Sequence, residues 1–242
     1  MSVFDPFLDF EENGYLQNRF KEKDPNVIRE LEHTMFRAGL DDALEYLSKR
    51  DEITYRDFLE VHKILFSEIY PWAGKDRNEL VPDKAISKAG VKFCHPMEMQ
   101  RSIDYGLRLG QDKEYMRANP GEVMGLFAYG HPFLDGNGRT MLLIHTELCH
   151  RAGFSIEWEK TTKFDYLTAL SKEIEKPRDK TLNAYLSQFI GSSRNRDSWG
   201  GSIKSIKGLD GVGQTNNVDG DYSDEQVSRE YRAYKLERER TE

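Results

Sequence analysis

HPFLDGNGRTMLLIHTELCHRAG, residues 131–153, joins a polar, glycine-rich turn to a strongly apolar run that stops on a glycine. The apolar part, 138–151, predicts a buried helix, and Gly153 suits the residue that ends it. Residues 120–129 also read as helical, so the polar turn lies between two helices. Working outward, residues 97–109, 161–175 and 180–190 predict further helices, the last two separated by Pro177. Thr54 opens the clearest one. Phe58, Val61, His62, Leu65, Phe66 and Ile69 form one apolar stripe, and Thr54 with Asp57 has the spacing of a capping box. Near the start, Asp24-Pro25 reads as an N-cap with proline in the first turn; Gly39 is expected to interrupt that helix before residues 41–47 resume it. Only residues 77–93 resist, because VPDKAISKAGVKF (81–93) alternates in short polar pieces that suit a small hairpin. The expected fold class is all-α, predominantly helical, with a small β-hairpin flap and a loop-rich C-terminal tail ending in a short helix.

Beyond Ile190 the composition shifts to Gly, Ser, Asn and Asp, which places a core domain at 1–191 and a tail at 192–242. Trp199, Ile203 and Ile206 would be poorly placed in a free linker, so the tail is expected to pack across the domain. Ser223 and Gln226 stand at capping-box spacing ahead of a short charged helix. The 242 residues carry a net charge of -7, which argues against nucleic acid or a membrane surface as partner and favours a small phosphate compound held locally. No apolar run approaches a membrane span, and the opening residues lack the order of a signal peptide; a cytoplasmic location is expected. Cys94 and Cys149 are too few for a disulfide framework and read as buried free thiols. His145 and His150 are five apart and read as ordinary helix residues, His62 as a core histidine and His95 as a loop residue.

The turn concentrates chemistry. A helix N-terminus carries about half a positive charge and unpaired N–H donors, and flanking glycines let phosphate oxygens approach the backbone. Gly136-Asn137-Gly138 therefore reads as an anion nest, and Arg139 can add a charge-assisted contact to a second phosphate. Asp135 supplies a hard oxygen suited to Mg²⁺, which commonly takes one or two carboxylates plus substrate phosphates. His131 can accept a proton at neutral pH, and Phe133 would anchor the loop in the core. Singly, a histidine before proline reads as a loop residue and Gly-Asn-Gly as a turn. Base, acid, nest and arginine together favour a nucleotide site in which an imidazole deprotonates an incoming hydroxyl.

These residues resemble the signature H-x-F-x-D/E-G-N-G-R of the Fic family of protein adenylyltransferases, matching it at every specified position from His131 to Arg139. Asp5-Pro6-Phe7, Gly14 to Asn18, Tyr70 to Gly74 and Ile86 to Phe93 add to the resemblance, which covers roughly residues 4–190. It implies that AMP passes from ATP to a Ser, Thr or Tyr hydroxyl of a target protein. His131 would be the base, Asp135 the Mg²⁺ ligand, Gly136, Asn137 and Gly138 the α-phosphate cradle, and Arg139 the contact to the outer phosphates. The flap about Val81, Ile86, Ser87 and Lys88 would dock the target by strand addition. One position departs: a second arginine that many members carry at the γ-phosphate is Leu142 here. Transfer of another phosphate-linked group (phosphoryl, UMP or phosphocholine) and a non-catalytic nucleotide- or protein-binding module are the rival readings. The family's inhibitory pattern S/T-x-x-x-E-G/N is absent; the nearest approach, Glu12-Asn13, has Leu8 in place of Ser or Thr. Control is therefore expected from the tail, from a small antitoxin-like inhibitor, or from nothing.

Overall fold

A computed structural model describes residue 6 and residues 16–209 and 216–240. The expectations resting on Asp5, Phe7, Glu12-Asn13, Gly14 and Tyr15 lie outside those residues. Helix α1 runs from Pro25 to Ser48, with the Asp24 carboxylate accepting from the Asn26 amide. It does not break at Gly39. The glycine lies where the helix crosses its neighbour α2 (Tyr55–Phe66), and a Cβ there would sit 2.8 Å from the Ile64 carbonyl oxygen. Close approach, not a turn, explains that residue. At the start of α2 the Asp57 carboxylate accepts from the Thr54 amide at 2.8 Å, as the spacing predicts, and Phe58, Val61, His62, Leu65 and Phe66 are buried.

A one-turn helix α3 (Arg77–Leu80) leads into the hairpin of β1 (Lys84–Lys88) and β2 (Val91–Lys92). Next come α4 (Pro96–Gln111), α5 (Lys113–Ala118), α6 (Pro120–Gly130) and α7 (Asn137–Arg151). Helix α6 is apolar on nearly all sides and is the centre of the molecule, packed against α4 and the helices that follow. After Gly153, whose φ of 79° ends α7 as expected, Phe154–Ile156 forms β3, which the sequence reading did not anticipate. Three residues are too few to show alternation. Helix α8 (Lys163–Glu175) and the short α9 (Thr181–Leu186) follow, the latter tightening into a 3₁₀ turn over 187–189 where a longer helix was expected. Strand β4 (Ile190–Ser192) pairs with β3, so the expected boundary at residue 191 falls inside a strand. Both cysteines are buried and free.

The tail then folds back over the helices. Arg196 reaches the fully buried Glu147 carboxylate at 2.6 Å, alongside Arg151 at 2.8 Å. In α10 (Trp199–Lys204), Trp199 and Ile203 are buried, the indole edge-on to His150 with ring centres 5.0 Å apart. Further on, Asn217–Asp221 forms β5, the third strand of the flap sheet, in the order β2-β1-β5. Helix α11 (Glu225–Arg240) closes the chain; its first amides are capped by Asp224 and not by Ser223, since the Asp224 carboxylate accepts from the Gln226 amide at 2.7 Å. Among the described residues no helix is long and apolar enough to cross a membrane.

Two glycines of the central helix–turn–helix make opposite predictions. A Cβ at Gly121 would stand 2.2 Å from the Asn183 backbone nitrogen, whereas one at Gly138 meets nothing within 4 Å. Gly121→Ala is expected to lower stability by about 2–3 kcal/mol through overpacking. Gly138→Ala, in helical backbone, should leave Tm unchanged or slightly raised. Thermal melts of the two variants check both.

Candidate active site

The turn between α6 and α7 is held in an unusual backbone state. His131 ends α6 in left-handed conformation (φ 41°, ψ 59°) and precedes Pro132, a combination that sterics disfavour. Arg77 compensates. Fully buried, it donates from Nε to the His131 carbonyl at 2.6 Å and from Nη2 to Cys94 and Gly130 carbonyls at 3.0 and 3.3 Å; its own amide donates to Pro132 O at 2.8 Å. Within the loop, the Asn137 side chain accepts from the Phe133 amide at 2.9 Å and donates to the Phe133 carbonyl at 2.6 Å. Asn137 thus braces the turn with its amide oxygen and one of its two amide N–H groups, a structural task that the sequence reading did not foresee. Phe133 is buried against the His62 ring, 3.7 Å away. His62 accepts from the Gly74 amide through Nδ1 and donates from Nε2 to the Asp135 carbonyl, the neutral tautomer that these partners require. Burial pushes its pKa down to about 3. Gly136 needs its φ of 77°, and a Cβ there would lie 2.5 Å from the Phe66 ring.

On this frame the turn presents three kinds of group. The His131 imidazole stacks face to face on Phe93, 3.6 Å between centres, with Nε2 buried and without a partner. Burial first, then the charges of Arg77 and Lys88, holds its pKa well below the usual imidazole value, so it is neutral. Arg139 is buried over the Phe66 ring at 4.8 Å; Nη2 donates to Glu32 at 2.6 Å while Nη1 has no partner. Burial raises the Glu32 pKa to about 7, against the pull of Arg139. The Asp135 carboxylate is 42% exposed, accepts from the Gly136 amide at 2.6 Å, and lies 3.8 Å from Arg139. The first-turn amides of α7 lack intrahelical acceptors, and the space beside the exposed Gly138 is open. Such a loop can accept a proton at one end and bind a polyanion at the other.

His131, Asp135, Gly136, Gly138 and Arg139 are thus brought together. Among the described residues no group of three or more His, Cys, Asp and Glu gathers around a metal position; Asp135 presents the part-exposed carboxylate of the turn. Leu142 is buried and apolar, while the charge of Lys88 is felt at both His131 and Glu32. The flap differs from expectation. Val81 caps α3, and Ile86 and Ser87 face not an open edge but β5 of the tail. Arg77, Glu32 and the tail residue Asn216, whose Nδ2 donates to Leu134 O at 2.6 Å, are the members that sequence reading missed. His145 is a helix residue as expected, with Nε2 at 2.8 Å from Pro120 O, and His95 N-caps α4.

Residues 52–149 match the model of the Fic/DOC family. The protein adenylyltransferase VbhT of Bartonella schoenbuchensis is 30% identical over 168 residues, covering 66% of this chain and 34% of that protein. A probable protein adenylyltransferase, y4lH of Sinorhizobium fredii, is 26% identical over 181 residues, covering 70% and 88%. This chain therefore spans about a third of VbhT and most of y4lH. Among solved structures, the Bartonella tribocorum BepC protein with bound AMPPNP superposes with a TM-score of 0.63 at 18% identity over 76% of this chain and 96% of that one. The N-terminal Fic domain of a Bartonella quintana cell filamentation protein with bound ADP gives 0.64 at 19% identity over 77% and 95%. The helical architecture is that of these domains, and residues 52–149 are the part of the chain that carries the Fic/DOC family match.

Proposed function

We infer that the chain transfers the AMP moiety of ATP to a Ser, Thr or Tyr hydroxyl of a protein target and releases pyrophosphate. The relatives named as protein adenylyltransferases support this reading, as do the nucleotides held by two of the structurally similar proteins. The observation that carries it is the neutral His131 imidazole, whose buried Nε2 has no partner. That nitrogen takes the hydroxyl proton; the hydroxyl oxygen bonds to the α-phosphorus as the bond from that phosphorus to the β-phosphate oxygen breaks. The first-turn amides of α7 and Arg139 Nη1 receive phosphate oxygens, and the gap beside Gly138 admits them. Asp135 would hold Mg²⁺, which supplies neutralising charge to the phosphates when bound. With Leu142 apolar, we assign the outer phosphates to Lys88, the flap cation whose charge is felt at both Glu32 and His131.

Incubation with lysate proteins and ATP labelled at the α- or the γ-phosphate tests the reaction class. Label should enter protein from the α position alone, and His131→Ala should cut the rate about 10²–10⁴-fold. Transfer of the γ label would indicate phosphoryl transfer and sink the proposal. Gly138→Ala should lower transfer about tenfold or more, the loss of one hydrogen bond to a charged phosphate, with its Tm preserved. The acid limb of the pH profile should lie below the ordinary imidazole range, because a depressed pKa keeps His131 deprotonated as pH falls. Lys88→Ala removes one of the repelling charges, so that limb should move to higher pH; an unmoved limb would separate Lys88 from the base.

A further inference from the structure

Strand β5 fills the flap edge. It runs antiparallel to β1, with Asp221 opposite Lys84, Gly220 opposite Ala85, Val218 opposite Ile86 and Asn217 opposite Ser87. Side chains fasten it. The carboxylate of Asp219, the extra residue at the bulge, accepts from the buried Ser87 Oγ at 2.7 Å, and Asp221 pairs with Lys84 at 3.1 Å. The residue before the strand, Asn216, leaves the sheet for the catalytic loop, where Nδ2 donates to Leu134 O at 2.6 Å. Its amide reaches the His131 ring, yet Asn216 Oδ1 and His131 Nε2 are both buried without a partner in hydrogen-bonding geometry. Two polar atoms, on side chains that reach one another, are thus left unsatisfied beside the imidazole to which a hydroxyl would give up its proton.

We propose that β5 is docked as a target is docked, with Asn216 in the acceptor position. The strand then reports the sequence a target must present: a Ser, Thr or Tyr acceptor, an acidic residue three positions later for Ser87 Oγ, and a second acid five positions later for Lys84. The proposal rests on the transferase reading above. An asparagine amide cannot take part, because its nitrogen lone pair is delocalised into the carbonyl and its N–H is too weak an acid for an imidazole. The chain therefore holds its own flap with an unreactive copy of its substrate. A hydroxyl at the same position completes the reaction: its proton passes to His131 Nε2, its oxygen bonds to the α-phosphorus, and pyrophosphate leaves.

The test uses the full chain with α-labelled ATP. Asn216→Ser, Asn216→Thr and Asn216→Tyr cover the three acceptor sizes, and at least one should become labelled on residue 216, as located by peptide mass spectrometry. The rate per molecule should not change on dilution, since transfer is within one chain. Adding His131→Ala should abolish the label, and adding Ser87→Ala should slow it roughly tenfold through loss of a hydrogen bond to a carboxylate. A merely structural Asn216 would move Tm without creating a labelled site. Label on lysate proteins but on residue 216 of none of the three variants would overturn the docking and leave the transferase reading standing. Label on neither would overturn both.

Discussion

A guanidinium buried among carbonyl oxygens is the constraint on which the rest of the site depends. Removing Arg77 from water is expensive, and a left-handed residue ahead of proline costs roughly 1–3 kcal/mol more. Charge-assisted hydrogen bonds to carbonyls, worth about 1.5–3 kcal/mol each, offset both terms. The geometry follows from there. With the carbonyls of Gly130 and His131 tied to α3, helix α6 must stop where it does, and the following residues turn sharply enough for Asn137 to close on Phe133. The imidazole is thereby set against Phe93, and α7 starts with open space beside Gly138.

The electrostatics of the site run against those of the whole molecule. The chain is acidic overall, but Arg77, Lys88 and Arg139 surround the loop, with Glu32 and Asp135 as counterweights. Burial pushes the Glu32 pKa up, and the Arg139 guanidinium 2.6 Å away opposes that rise, so the two groups hold each other in the interior. An imidazole among cations stays neutral without needing a carboxylate to orient it. Burial is the larger cause of that neutrality, and the charges of Arg77 and Lys88 add to it.

Much of this was legible in the sequence because the chemistry is contiguous. Nine adjacent residues hold the imidazole, the carboxylate, the glycine turn and the arginine that the structure brings together, and the long helices announce themselves through periodic apolar positions such as Phe58, Val61, Leu65 and Phe66. Contacts between distant segments were not legible. Arg77 acts 54 residues away from the carbonyl it holds, Glu32 acts 107 residues from Arg139, and Asn216 acts 82 residues from Leu134. Each looks like any solvated polar residue in a polar stretch. Gly39 was misread for a related reason: the same absent Cβ serves a helix break or a helix crossing, and only the neighbour decides. The bracing by Asn137 was not foreseen because local pattern cannot show which acceptor a side chain finds first.

The sheet around β1 has a bearing on solubility. A strand with an unpaired row of N–H and C=O groups is a template for aggregation, and proteins blunt such edges with short strands, bulges, charges or a covering segment. Here the outer strands are poor templates: β2 is two residues long, and β5 is bulged and carries Asp219 and Asp221 around Gly220. The tail thus covers the long edge of β1, and a chain stripped of that strand would present an unpaired row of backbone groups to its own copies, a colloidal risk.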